Sequence, residues 1–279
     1  MKNAVAQVSK ELNISRAEAE LIVAALLEKP RFELYLKGEL DEPRRRALKI
    51  KIMQLRKGIP LEYLTKKVQF LNYTLNIYPG VFIPRLETEY FVEIIGRLVK
   101  KTPVAILEIG TGSGALAIAL SSLFPKSSII ATDISPAALS CARQNIKQYN
   151  LEKQIKLVRG DMLNAFSTPF DLIVSNPPYI PDSRLKSLPD SVKYFEPILA
   201  IAGGKNGIDF TKRMLLQAVK QITPDGMIAV EIDEDAVDPL KDFIQSDLSA
   251  KFLFKKDLFN RNRYLFIGNF NNEKSKDSN

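Results

Sequence analysis

The spacing of apolar positions divides the chain into a helical first part and an alternating second part. Ser15 and Glu18 have the spacing of a capping box, and helical periodicity follows them. Asp41 opens a second amphipathic helix, which Gly58 closes. We therefore expect a small helical N-terminal domain over residues 1–75.

A linker joins the two parts. Apolar and polar side chains alternate between residues 68 and 77, which predicts a short hairpin. A lead-in helix then runs to about Lys100, so residues 76–100 form a hairpin, linker and helix. The polar segment 271–279 is expected to be a disordered tail.

Strands alternate with helices from residue 101 to residue 270. Leu172, Ile173 and Val174 form a continuous apolar run, which is typical of a strand covered on both faces. The pattern predicts an α/β fold with a doubly wound, mostly parallel, Rossmann-like sheet of seven strands. The expected strands are 104–108, 129–132, 155–158, 171–175, 227–232, 252–255 and 263–267. The expected helices are 115–123, 136–150, 211–222 and 236–248.

Composition narrows the chemistry that this fold can perform. The 279 residues include 46% hydrophobic residues, enough for a core, and contain no apolar run of about 18 residues that would span a membrane. The single Cys141 and a start without a secretory apolar core favour a cytoplasmic location. A net charge of +8 raises the chance of an acidic partner. The absence of histidine excludes Ser-His-Asp and Cys-His relays and His-ligated zinc.

An unusual polar turn follows the strand at 171–175. Asn176 offers a side-chain carbonyl and Pro177 a backbone carbonyl, and Pro178 limits how that carbonyl can turn. Tyr179 adds a flat ring beside these acceptors. The set suits a planar substrate that bears an amino group, although Asn-Pro-Pro alone is also an ordinary turn.

A glycine-rich loop lies between the strand at 104–108 and the helix that follows it. Glycines let a ligand approach the backbone, and the helix start offers free N–H groups, so the loop predicts a nucleotide or nucleoside site. The spacing also satisfies a relaxed dinucleotide fingerprint, which leaves an NAD-type oxidoreductase open. The loop residues are Gly110, Thr111, Gly112, Ser113 and Gly114.

Polar residues end the neighbouring strands. Asp133 is placed to accept hydrogen bonds from ribose hydroxyls, Asp161 from an adenine amino group, and Met162 to cover the adenine ring. Because the carboxyl ends of parallel strands meet at one edge of a sheet, these residues converge with Asn176 and the glycine loop on one crevice. Arg85 and Thr88 precede the first strand of this domain closely enough to line the crevice.

Together these motifs resemble the class I S-adenosylmethionine-dependent methyltransferases, and more narrowly the HemK/PrmC family of release-factor glutamine methyltransferases. The Asn-Pro-Pro-Tyr motif alone is shared with adenine-N6 methyltransferases, and its combination with Pro-Arg-x-Glu-Thr-Glu is much narrower. Leu86 stands where the family commonly has a second proline, and Met162 where some members have an aromatic residue. The resemblance runs over nearly the whole chain. The segments that carry it are 58–63, 82–89, 110–114, 176–179, 196–197 and 203–204.

The resemblance implies methyl transfer from S-adenosylmethionine, without a metal, to the side-chain amide nitrogen of the glutamine in the Gly-Gly-Gln motif of peptide chain release factors. It implies that the loop at 110–114 contacts the methionine portion, Asp133 the ribose, and Asp161 and Met162 the adenine. Asn176 would lie between cofactor and substrate. Asn176 and Pro177 would be catalytic, and the residues that grip the glutamine amide would be Asn176, Pro177, Pro178 and Tyr179.

The partners implied are release factors, with no membrane and no stable nucleic-acid partner, and we expect a monomer whose N-terminal domain recognises the substrate. Two other functions stay open on the sequence. An adenine-N6 methyltransferase acting on DNA or RNA would present a flipped base to the same acceptors. A non-catalytic nucleoside-binding protein would dock on the translation machinery through the basic helix at 43–57. An NAD oxidoreductase gives no reason for the turn at 176–179.

Overall fold

The computed structural model describes residues 2–36, 40–164 and 166–270, and the expected disordered tail at 271–279 lies outside these described residues. The helices are α1 Lys2–Leu12, α2 Arg16–Leu27, α3 Glu42–Arg56, α4 Leu61–Thr65, α5 Leu86–Leu98, α6 Ala115–Leu123, α7 Pro136–Gln148, α8 Asp190–Lys193, α9 Asp209–Ala218 and α10 Val237–Phe243. The strands are β1 Lys67–Phe70, β2 Tyr73–Asn76, β3 Ala105–Ile109, β4 Ser128–Asp133, β5 Ile155–Arg159, β6 Phe170–Ser175, β7 Ile222–Glu231, β8 Phe252–Lys256 and β9 Asn262–Gly268.

The first of two compact units is helical. It combines the described residues of Met1–Lys67 with the segment Pro189–Phe195, which contains α8. Its core includes Val8, Val23 and Ile52. The predicted capping box at the start of α2 is confirmed, because the Ser15 hydroxyl accepts from the Glu18 N–H at 3.2 Å and the Ser15 N–H donates to the Glu18 carboxylate at 2.9 Å.

The second unit begins at Val68, so the two-stranded sheet of β1 and β2 belongs to it. Hydrogen bonds to α7 explain this division, which lies before the predicted boundary at residue 75. In β2, the Thr74 carbonyl accepts from Gln148 Nε2 of α7 at 2.9 Å, and the Asn76 N–H donates to Asn145 Oδ1 at 2.7 Å. Asn145 Nδ2 donates to the Ser113 carbonyl at 2.8 Å. Buried Asn145 therefore fastens the small sheet to the loop after β3.

The main sheet of the second unit has the order β5-β4-β3-β6-β7-β9-β8. Strands β3 to β7 pair in parallel, whereas β9 runs antiparallel to both β7 and β8. The predicted mostly parallel, seven-stranded sheet is confirmed. The chain runs outward from β3 to β5 and then returns to β6 on the other side of β3, which places a topological switch point between β3 and β6.

Both faces of this sheet are covered. Leu172 and Val174 of β6 belong to one core, together with side chains of α5, α6 and α7. Ile173 points to the opposite face and belongs to a second core with side chains of α9 and α10. The continuous apolar run is therefore explained by alternate burial on two faces.

The predicted element boundaries differ most from the structure around β7 and α10. The helix expected at 211–222 ends at Ala218, and Ile222 already begins β7, where the register with β6 shifts between Phe170 and Leu172. The helix expected at 236–248 continues beyond α10 as a π-helical turn, Ile244–Leu248. In the described part of the chain, no helix combines the length and the apolar character needed to cross a bilayer.

Candidate functional site

A cavity of about 560 Å³ opens in the second unit, at loops that follow β3, β4, β5 and β6. It lies beside the switch point of the sheet, which is where open α/β sheets bind ligands. The structure brings ten of the sequence-predicted residues together in its lining. They are Thr88, Gly110, Thr111, Gly112, Ser113, Asp133, Asp161, Met162, Asn176 and Pro178.

The glycine-rich loop forms one wall of the cavity. The Gly110 and Thr111 N–H groups both donate to the Thr132 carbonyl, at 2.9 and 2.8 Å, which anchors the loop to the end of β4. Gly110 and Gly112 have φ values of 76° and 56°, and a Cβ added to either would meet no atom within 4 Å. The loop thus leaves open space in front of its backbone, as a ligand lying against it requires.

Two carboxyls flank this loop. Asp133 accepts from the Gly112 N–H and the Ser135 N–H, both at 2.9 Å. Glu108 is buried at the end of β3 and accepts from the Thr111 hydroxyl at 2.7 Å. Burial raises the pKa of Glu108 to about 7, and the nearby charge of Asp133 acts in the same direction. A ligand that brings hydroxyl donors or positive charge would stabilise the negative charge of these buried carboxyls.

The side of the cavity next to β5 combines apolar and charged groups. Asp161 and Met162 line it together with Phe210 and Arg213 of α9. Arg213 Nη2 lies 3.8 Å from Asp161 Oδ1, and the Arg213 guanidinium carbon lies 5.9 Å from the centre of the Phe210 ring. Met162 and Phe210 offer apolar surface to a flat ring, and the Asp161 carboxylate accepts hydrogen bonds at its edge.

Asn176 begins a chain of hydrogen bonds that leads to a buried carboxyl. Asn176 Nδ2 donates to Thr88 Oγ1 at 3.0 Å, and the Thr88 hydroxyl donates to Glu231 Oε2 at 2.7 Å. The Tyr179 hydroxyl lies 3.3 Å from Glu231 Oε1 and donates to it. Thr88 and Glu231 are buried, and burial raises the pKa of Glu231 to about 7. Both ends of the Asn-Pro-Pro-Tyr turn are thus tied to one carboxyl.

Four predicted residues lie outside the lining of the cavity. Arg85 forms an ion pair with the buried Glu196 carboxylate. Gly114 packs against α7, where an added Cβ would lie 3.2 Å from Ala142 Cβ. The backbone of Pro177 links the two lining residues next to it, and Tyr179 contacts Glu231. The four are Arg85, Gly114, Pro177 and Tyr179.

Sequence reasoning did not assign four residues that the structure places at the site. The signal that could have found Glu108 and Glu231 is an acidic residue at the end of an apolar strand, since such a carboxyl is rarely buried without a reason. Phe210 and Arg213 come from a helix that follows a long loop, and no local pattern connected them to the crevice. The four are Glu108, Phe210, Arg213 and Glu231.

A glycine after the turn packs directly on it. The Gly203 N–H donates to the Ile180 carbonyl at 2.9 Å. A Cβ at Gly203 would lie 2.8 Å from the Pro178 carbonyl oxygen and 2.8 Å from Tyr179 Cα. These are backbone atoms, so a larger residue must displace the turn itself.

We expect Gly203→Ala to lower kcat about 100-fold, because a displacement of about 1 Å in catalytic geometry has an effect of that size. Steady-state kinetics of the purified variant test this. Gly96→Ala is the matched control, since its Cβ meets only side-chain carbons of Leu123, the nearest at 3.1 Å, and lies on α5 outside the cavity lining. Equal kcat in the two variants would contradict the role given to Gly203.

Comparison with known proteins identifies the family. Residues 75–188 match the family model described as the methyltransferase small domain. The release factor glutamine methyltransferase of Moorella thermoacetica is 37% identical over 235 residues, which are 83% of each chain. That of Dictyoglomus turgidum is 37% identical over 253 residues, 87% of this chain and 89% of the relative. The chain belongs to the release factor glutamine methyltransferase family.

A solved structure supports the fold assignment for this chain. A 16S rRNA methyltransferase of T. thermophilus, crystallised with AdoMet and guanosine, superposes with a TM-score of 0.54 at 18% identity. The match covers 73% of this chain and 49% of the other. The resemblance inferred from the motifs is therefore confirmed, both as a Rossmann-like methyltransferase fold and as membership of this family.

Proposed function

We propose that this chain transfers a methyl group from S-adenosylmethionine to the side-chain amide nitrogen (N5) of the glutamine in the Gly-Gly-Gln motif of peptide chain release factors. The names of relatives that match over most of the chain support the reaction and the partner. Within the structure, one observation carries the proposal: Asn176 lines the same cavity as the glycine loop, with its amide nitrogen already engaged by Thr88.

S-adenosylmethionine fits the cavity in size, backbone access and charge. A volume of about 560 Å³ lies within the usual range of about 300–1,000 Å³ for small-molecule sites. The open space before Gly110 and Gly112 would hold the methionine portion. Asp133 would accept from the ribose hydroxyls, and the surface of Met162 and Phe210 would cover the adenine.

The substrate glutamine would enter on the Asn176 side. A primary amide carries two N–H donors, and Asn176 Oδ1 and the Pro177 carbonyl supply two acceptors from adjacent residues. Pro177 has a fixed φ and no N–H, and Pro178 limits the rotation of the Pro177 carbonyl. The two acceptors are therefore held in place before the substrate arrives, and Tyr179 closes the turn.

Geometry does most of the chemical work in this proposal, because an amide nitrogen has a delocalised lone pair and is a poor nucleophile. Hydrogen bonds from both amide hydrogens to Asn176 and Pro177 would aim the lone pair and stabilise the positive charge that develops on nitrogen. When bound, S-adenosylmethionine supplies the methyl group: the nitrogen lone pair forms the new N–C bond, the C–S electron pair stays on sulfur, and one amide proton leaves to solvent. The product is S-adenosylhomocysteine.

The decisive experiment uses methyl-labelled S-adenosylmethionine, the purified chain and a bacterial release factor. A matched release factor with its Gly-Gly-Gln glutamine replaced by alanine is the control substrate. We expect label in the first protein and none in the second. Label in neither protein, with transfer to added DNA or RNA, would refute the proposal and support the adenine-N6 alternative.

We also propose that the first unit recognises the release factor. Ile50 and Met53 lie on one face of α3 and are about half exposed, beside exposed basic side chains of the same helix. We expect the Ile50→Ser, Met53→Ser double variant to raise KM for the release factor about tenfold, or about 1.4 kcal/mol. Leu216→Ser, a substitution at an exposed site on α9, is the matched control, and an equal KM in both variants would contradict the assignment.

The expected monomeric state and cytoplasmic location stay predictions.

A further inference from the structure

The hydrogen bonds behind Asn176 restrict which side of its amide faces the cavity. Thr88 Oγ1 accepts a hydrogen bond from Asn176 Nδ2 at 3.0 Å, and the Thr88 hydroxyl donates to Glu231 Oε2 at 2.7 Å. These two hydrogen bonds join segments that are distant in the sequence. The first joins the turn after β6 to the start of α5, and the second joins the start of α5 to the end of β7. We call Thr88, Asn176, Tyr179 and Glu231 the Glu231 network.

The number of available hydrogens decides the direction of these bonds. A threonine hydroxyl has one hydrogen, and an ionised carboxylate only accepts. Because that hydrogen goes to Glu231, the Thr88 oxygen can only accept from Asn176, so Asn176 must present its NH₂ group to Thr88. The amide carbonyl oxygen of Asn176 is then directed away from Thr88. Among the described residues, none donates a hydrogen bond to Asn176 Oδ1.

We propose that Thr88 and Glu231 are positioning residues, which hold the Asn176 amide in the orientation that presents Oδ1 to the substrate glutamine. This inference rests on the proposed function. Without the network, the amide can rotate by half a turn and present NH₂ to the substrate, and two donors then face each other. Tyr179 enters the same arrangement, because its hydroxyl donates to the second oxygen of Glu231 at 3.3 Å.

The protonation of Glu231 affects this control. Burial raises the pKa of Glu231 to about 7, the negative charge of Glu87 raises it, and Thr88, Tyr179 and the positive charge of Arg263 lower it. Burial and the negative charge of Glu231 raise the pKa of Tyr264 in turn. A protonated Glu231 can donate to Thr88, which frees the Thr88 hydrogen for Asn176 Oδ1 and permits the reversed amide. Orientation control is thus about half present near pH 7, approaches completeness about one pH unit above it and is lost below it.

Substitutions at Thr88 test the proposal, with kcat and the Kd of S-adenosylhomocysteine measured on each variant. Thr88→Val keeps the shape and removes the hydroxyl, and we expect kcat to fall about 100-fold with unchanged Kd. Thr88→Ser restores the hydroxyl and most of kcat. Thr211→Val makes the same change at a buried threonine of α9 outside the network and is expected to keep wild-type kcat. An unchanged Kd would show that the cavity of the variant is still folded.

The outcomes separate this inference from the proposed function. A kcat for Thr88→Val equal to that of Thr211→Val would overturn the inference and leave the function intact. Failure of the unmodified enzyme to label a release factor would instead refute the function. If Thr88→Val does not fold, Glu231→Gln decides, because glutamine brings an N–H that mimics the protonated carboxyl. We expect kcat of the unmodified enzyme to fall as the pH drops through about 7, and we expect Glu231→Gln to have a low kcat that lacks this fall. An unchanged kcat in this variant would overturn the inference.

Discussion

Asn176→Ala is expected to reduce kcat by about 10²–10³-fold, the usual effect of removing one group that stabilises charge in the transition state. The substitution removes the side-chain acceptor for the glutamine amide and leaves the Pro177 carbonyl in place. The affinity for S-adenosylhomocysteine should change little, because the glycine loop, Asp133 and the Asp161 side of the cavity stay intact. Single-turnover kinetics with a release factor and calorimetry with S-adenosylhomocysteine measure the two quantities.

Asn176→Asp makes the test sharper. Aspartate keeps an acceptor of similar shape, but it cannot donate to Thr88, whose single hydrogen is already given to Glu231. Two carboxylates would then face one hydroxyl, so we expect a kcat between those of the wild type and the alanine variant. Full activity in Asn176→Ala would exclude Asn176 from the reaction.

The fold was predictable to the extent that burial leaves a local trace. Alternate residues of β6 reach two cores, and this requires the continuous apolar run that the sequence displays. The start of β7 was not predictable, because Thr223, Pro224, Asp225 and Gly226 have the composition of a turn. These residues lie where the strand register is irregular, so tertiary pairing overrides local preference.

Contacts between distant segments set the limit of sequence reasoning. The return of Pro189–Phe195 to the first unit has no local signal, since only tertiary packing brings that segment to residues 1–67. At the site, the ends of successive strands were enough to predict the glycine loop, Asp133 and Asn176 together, because sheet geometry forces them to one edge. The bond between Thr88 and Glu231 joins residues 143 positions apart and becomes visible only in three dimensions.

Asp133→Ala should raise the Kd of S-adenosylhomocysteine by at least about 100-fold. Each hydrogen bond to a charged group contributes about 1.5–3 kcal/mol, so the loss of two ribose contacts amounts to at least about 3 kcal/mol. Isothermal calorimetry measures the change. The substitution also removes the acceptor for the Gly112 and Ser135 N–H groups, so a control must separate loop support from ligand contact.

Asp171→Ala provides that control. Asp171 Oδ2 also accepts two backbone N–H groups, from Val104 at 2.8 Å and Ala105 at 3.0 Å, but Asp171 is not part of the cavity lining. We expect it to lower stability and leave the Kd unchanged. A cofactor analogue without ribose hydroxyls completes a double-mutant cycle: the wild type should lose affinity for it, and Asp133→Ala should not. Equal losses in both proteins would show that Asp133 only supports the glycine loop and does not contact the ribose.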